Sequence, residues 1–118
     1  MTSEASIQRA IVGYLNAVLP KDTRVVAIPN AARRTGTGRA TNAVAGLSPG
    51  LFDLMIVEAG GGAYFTEVKT DKGKLSPAQE GWREWFVLNH VPHCVARGVD
   101  DVRVALAAWR IETREAAQ

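Results

Sequence analysis

The sequence predicts an α/β protein with elements in the order αβββαβα, a central mixed four-stranded sheet flanked by helices. Three observations lead there. Apolar residues recur at helical spacing in three segments, four short runs are rich in apolar and β-branched residues, and glycine or proline clusters separate them. The 118 residues suit one compact domain, 1–118, which should bury roughly two thirds of the surface its unfolded chain exposes.

Residues 3–18 carry Ile7, Ile11, Tyr14, Leu15 and Val18 at helical spacing, with Thr2 or Ser3 available as N-cap and Pro20 closing the segment. Arg24 to Ile28 is short and β-branched, and Pro29 with Asn30 ends it, which predicts a strand. From Asn30 to Gly50 no periodicity is sustained, and Gly36, Gly38, Gly46, Pro49 and Gly50 predict a long loop. Leu51 to Glu58 is an apolar run broken only by Asp53. Gly60-Gly61-Gly62 then turns the chain into Ala63 to Lys69, so the two runs form a hairpin. After a polar loop over 71–76, Ser76 can cap a helix with Pro77 at its first position, continued by Trp82, Trp85, Phe86 and Asn89. Val91 to Arg97 reads as a strand. Val99 to Arg110 reads as the last helix, with Val102, Leu106 and Trp109 on one side.

Composition narrows the function classes. No apolar run approaches the ~18 residues of a membrane span, and the first residues lack the basic start and apolar stretch of a signal peptide. A soluble, cytoplasmic protein without a membrane partner is expected. Cys94 is the only cysteine, which excludes an internal disulfide and a zinc site built on several thiolates. His90 and His93 have an H-x-x-H spacing but straddle a helix end and a strand start, so they share no helical face and zinc is not expected. Trp82, Trp85 and Trp109, at helical spacing, read as core or interface aromatics rather than a base-stacking platform. The net charge of +2 is small but unevenly spread. No acid lies between Asp22 and Asp53, whereas Arg24, Arg33, Arg34 and Arg39 do, a segment suited to a phosphate backbone.

Chemistry concentrates on the hairpin. A lone carboxylate at Asp53, among apolar neighbours, must be paired, metal-bound or kept at the strand's solvated end. The bland alternative is an aspartate capping a strand mouth after the Pro49-Gly50 turn. Glu67 and Lys69 face one side of their strand while Val68 faces the other; an exposed face with opposite charges would look the same. Taken as one hairpin, the strands bring Asp53 and Glu67 to the same side near the same end. At ~4 Å and an effective dielectric of ~20 their repulsion is about 4 kcal/mol, so a compensating cation is needed. Magnesium suits two hard carboxylates plus water and a substrate phosphate oxygen. Lys69 is then placed to orient or help deprotonate an attacking water and to offset charge on phosphorus.

This Asp53…Glu67-Val68-Lys69 constellation resembles the PD-(D/E)xK nuclease superfamily, whose core is restriction-endonuclease-like. The closer resemblance is to its VRR-NUC branch. It extends over Glu4 and Gln8, Ile28-Pro29-Asn30, Gly46 to Asp53, Glu67-Val68-Lys69, Gly73-Lys74-Leu75-Ser76-Pro77, Gln79 and Trp82. The resemblance implies that Asp53 and Glu67 bind Mg²⁺ or Mn²⁺ with the Val68 carbonyl as a further ligand, and that Lys69 is the catalytic lysine. Gln79 would support the site or touch the scissile strand. Glu4 would hold a water on the metal or a second ion, unless it is simply an acid at helix N1 favoured by the macrodipole. One residue departs from the pattern: Phe52 stands where proline is common, leaving the backbone ahead of Asp53 freer.

Arg33, Arg34, Arg39, Lys72 and Lys74 are candidates for phosphate contact, with Asn30 helping to position them. The expected activity is hydrolysis of DNA phosphodiester bonds by a metal-dependent endonuclease. Likeness to stand-alone VRR-NUC proteins implies selectivity for branched DNA or four-way junctions and a homodimer that presents two sites to opposed strands. The rival readings are a nucleic-acid-binding module that keeps the nuclease fold without cutting, and a structural domain whose strand charges form surface ion pairs.

Overall fold

The computed structural model describes residues 2–29, 45–46 and 48–115. Helix α1 spans Glu4–Val18; the Ser3 hydroxyl caps it by accepting from the Ser6 amide at 3.1 Å. Its buried stripe is Ile7, Ile11, Leu15 and Val18, and it stops where Leu19, ahead of Pro20, turns extended. Strands β1 (Arg24–Ala27), β2 (Leu54–Val57) and β3 (Ala63–Val68) follow, then α2 (Pro77–Leu88), β4 (His93–Ala96) and α3 (Val99–Ala108).

The sheet runs β1-β2-β3-β4. β1 and β2 pair antiparallel, as do β2 and β3, whereas β3 and β4 are parallel. The mixed sheet and the αβββαβα order expected from the sequence are therefore those observed. The parallel pair requires a crossover, and α2 supplies it. Helices α1 and α3 cover one face, where Ile7, Ile11, Leu15, Val102 and Leu106 close over Leu54, Ile56, Val68 and Ala96. α2 covers the other face through Phe86, whose ring stacks on Phe65 at 4.8 Å and meets Phe52 edge-on at 5.2 Å. No helix among the described residues is long and apolar enough to cross a membrane.

All four strands are shorter than their runs suggest, β3 ending at Val68 rather than Lys69. β2 starts at Leu54 rather than Leu51, because the side-chain alternation breaks at Asp53. Leu54 and Ile56 join the α1–α3 core, yet Phe52, two residues earlier, packs on Phe86 of α2. β1 ends at Ala27, although the Ile28 amide still donates to the Asp53 carbonyl at 2.8 Å. β4 starts at His93 because Pro92 has no amide hydrogen; its carbonyl accepts from Phe65 at 3.0 Å.

The turn before Asp53 is interlocked with α2. Gly50 has a positive φ of 80°, and a Cβ there would lie 2.6 Å from the backbone carbon of Ala78. The Trp82 indole donates to the Pro49 carbonyl at 3.1 Å. Gly50→Ala therefore meets both backbone strain and a helix that cannot yield cheaply. The expected cost is about 2–4 kcal/mol, read as a lower urea midpoint at unchanged slope.

Candidate active site

The β2–β3 register pairs Leu54 with Thr66, which sets Asp53 opposite Glu67 at the open end of the hairpin. Asp53 Oδ2 accepts the Val68 amide at 2.9 Å, so the carboxylate takes a position in the ladder that a backbone carbonyl would otherwise fill. In an extended strand a residue's N–H and C=O point to the same neighbour, so the Val68 carbonyl is directed to the Asp53 side as well. Asp53 thus sits at the mouth of β2, as the bland alternative has it, and also opposite Glu67.

Glu67 and Lys69 share the parity of Phe65 and so face α2. Both are buried, Glu67 at 1% and Lys69 at 8% relative exposure. That burial overturns the reading of Glu67-Val68-Lys69 as an ordinary solvated strand face. Lys69 Nζ lies 3.5 Å from Glu67 Oε2. The same oxygen accepts from the Gln79 side-chain amide at 2.7 Å.

Gln79 is oriented by the start of its own helix. Its amide oxygen accepts the Ser76 backbone N–H at 2.8 Å while its backbone N–H donates to Ser76 Oγ at 3.2 Å, a complete capping box. With the oxygen committed to Ser76, the NH₂ group must face Glu67 and must donate. Both ends of the amide are engaged, which favours support of Glu67 over contact with a scissile strand. Ser76 and Pro77 occupy the N-cap and N1 positions expected of them.

Glu67 Oε1 is buried and has no hydrogen-bond partner among the described residues. The carboxyl is correspondingly hard to ionise: burial, then the Asp53 charge, with a smaller contribution from Glu4, push its pKa from 4.5 up to about 7 against the opposing pull of Lys69. A buried acceptor left without a donor beside a second carboxylate is what a hard divalent cation would satisfy. Among the described residues no group of three or more His, Cys, Asp or Glu side chains converges. Two carboxylates and one carbonyl suit an ion that keeps several waters, as Mg²⁺ does, better than one needing an all-protein cage. Asp53, Glu67 and the Val68 carbonyl are thus the groups able to hold it.

Glu4 is the first residue of α1, exposed, and near enough for its field to reach Glu67. It stands at N1, where an acid favours the helix dipole in any case. Lys72 and Lys74 are exposed on the 70–76 connection that follows Lys69. Asn30, Arg33, Arg34 and Arg39 lie outside the described residues. Trp82 and Trp109 are partly buried, whereas Trp85 is 51% exposed, so helical spacing overstated its packing. Phe52 is fully buried and fixes the chain ahead of Asp53 by packing its ring on Phe86.

No family model matches the sequence, and no curated protein sequence matches it. The structure is similar to a solved structure described as a "VRR_NUC domain", with a TM-score of 0.60 and 20% sequence identity over 92% of this chain and 99% of that one. At that identity the likeness shows the fold: a restriction-endonuclease-like α/β arrangement spanning nearly all of both chains.

Proposed function

We propose that this protein is a divalent-metal-dependent endonuclease that hydrolyses DNA phosphodiester bonds, and that Asp53, Glu67 and Lys69 form its active centre. One observation carries the reading: among the described residues Glu67 Oε1 has no partner, in a buried position beside Asp53 and Lys69. A structural ion pair would not leave a buried carboxylate oxygen unsatisfied. The nuclease fold supports the same reading.

Asp53, Glu67 and the Val68 carbonyl would hold Mg²⁺ or Mn²⁺. When bound, the cation neutralises charge on a phosphoryl oxygen and makes the attacking water more acidic. The chain's own groups do the rest. Gln79 holds Glu67 Oε2 by donating a hydrogen bond, which leaves Oε1 as the oxygen that would serve as ligand. Lys69 Nζ, 3.5 Å from Glu67 Oε2, would orient the water and stabilise the negative charge that builds on the phosphoryl oxygens. Water loses a proton to solvent as its oxygen attacks phosphorus, the bond from phosphorus to the leaving oxygen breaks, that oxygen takes up a proton from solvent to become a hydroxyl, and no covalent enzyme intermediate is required. Glu4 modulates the site through its field. Lys72, Lys74, Asn30, Arg33, Arg34 and Arg39 contribute phosphate contacts that position the strand without reading its sequence.

Branched DNA, four-way junctions in particular, is the proposed substrate class, cut inside the cell by a homodimer whose two-fold axis opposes two sites. The test incubates the purified protein with linear duplex, flap, single-stranded and junction DNA in Mg²⁺, Mn²⁺ or EDTA, alongside Asp53→Ala. Cleavage of branched DNA that needs the metal and falls by about 10²-fold or more in the variant is expected. Binding of junction DNA without cleavage in either metal would replace this reading with that of an inert binding module.

A further inference from the structure

Lys69 is the first residue after β3, where a strand normally frays, yet its ammonium must be held still. Its amide donates to the Ala96 carbonyl at 3.0 Å, which anchors the backbone on β4. The next residue of β4's trail, Arg97, then reaches back across the end of the sheet. Its Nη1 donates to the carbonyls of Thr70, Asp71 and Gly73 at 2.5, 3.3 and 2.8 Å. The turn closes on itself through the Gly73 amide and the Thr70 carbonyl, 3.1 Å apart. Gly73 is pressed against the lysine: a Cβ there would lie 3.4 Å from Lys69 Cδ and 3.1 Å from Thr70 Oγ1. Asp101, in the first turn of α3, accepts the Arg97 amide at 2.8 Å and so fixes the root of the arginine.

We infer that Arg97 is a positioning residue that straps the Thr70–Gly73 turn over the Lys69 stem and holds the ammonium at the reacting phosphate. This rests on the proposed role of Lys69. A guanidinium shared by three main-chain carbonyls fixes the turn whose glycine lies on the lysine. Among the described residues Arg97 hydrogen-bonds to the turn carbonyls and to Asp101 and to none of Asp53, Glu67, Lys69 or Gln79, so its effect on the reaction passes through the turn. The alternative, that Arg97 itself grips a backbone phosphate, places its effect in binding.

The experiment compares wild type, Arg97→Ala, Lys69→Ala and the double variant by single-turnover cleavage of junction DNA in Mg²⁺, with Arg97→Lys as the conservative variant. Arg97→Ala is expected to lower kcat on the order of 10–100-fold with KM nearly unchanged, because a small misplacement of a reacting group costs that much. In the Lys69→Ala background it should do nothing further, and Arg97→Lys should recover part of the rate. A loss carried by KM, or additive losses in the double variant, would overturn the inference. Reductive methylation read by mass spectrometry gives an arm independent of activity, with exposed Lys72 and Lys74 as internal reference. Lys69 should be protected in wild type and labelled several-fold faster in Arg97→Ala at an unchanged melting temperature. If wild type cleaves no DNA, the proposed function fails, and equal labelling of Lys69 in the two proteins would by itself overturn the strap.

Discussion

Replacing Lys69 with methionine is expected to slow DNA cleavage by about 10²–10³-fold while leaving DNA affinity within a factor of about two. Methionine keeps most of the buried stem, so the Gly73 contact and the end of β3 should survive. What disappears is the ammonium 3.5 Å from Glu67 Oε2, the cation that the described structure pairs with that carboxylate. On the proposed reading, exposed Lys72 and Lys74 on the following turn meet DNA at its phosphates, where one charge is easily replaced, whereas Lys69, 8% exposed, serves a charge that develops only during reaction. Single-turnover rates with a separate binding titration distinguish the two: a raised KM at intact kcat would make Lys69 a binding residue instead.

Glu67→Gln is expected to stabilise the metal-free protein at alkaline pH and to abolish its response to Mg²⁺. The sign follows from the raised pKa. The folded state holds the Glu67 proton up to about pH 7, whereas the unfolded chain releases it near 4.5. Between those values the folded state binds more protons, so the group's contribution to stability is complete below 4.5 and is lost as pH rises through 7. Wild type without metal should therefore melt higher at pH 5.5 than at pH 8 through this group. The glutamine variant should not show that step, and should gain about 3 kcal/mol over wild type at pH 8 before the cost of its stranded amide. Added Mg²⁺ should raise the wild-type melting temperature at pH 8 and leave the variant's alone. Thermal melts at both pH values check all of this, and cleavage by the variant should fall by at least about 10²-fold.

The fold was legible because local and long-range signals agree. Ser3 and Ser76 cap the helices they precede, Ile7, Ile11 and Leu15 repeat at helical spacing, and three glycines turn the hairpin. The site was legible in its residues but not in its geometry. Alternation places Glu67 beside Lys69, yet nothing local distinguishes a buried pair from a solvated one; burial depends on α2 closing over that face through Phe86. The strand start at Leu54 was missed because Phe52 belongs to the opposite layer from Leu54, a choice made by α2 and invisible in an unbroken apolar run. Arg97 carried no signal at all. An arginine after a short strand is ordinary surface until the end of the neighbouring parallel strand is known to lie beneath it. Gln79 showed the reverse: a capping-box glutamine three residues after Ser76 is readable locally, and its second bond to Glu67 is not.

Mn²⁺ binding decides whether Asp53 and Glu67 make a divalent-cation site. Electron paramagnetic resonance reads the free ion while protein is titrated in at pH 8. Wild type should deplete the free Mn²⁺ signal and release the ion to excess Mg²⁺, whereas Asp53→Ala and Glu67→Gln should leave it essentially untouched. Equal depletion by wild type and both variants would place the cation elsewhere and contradict the account.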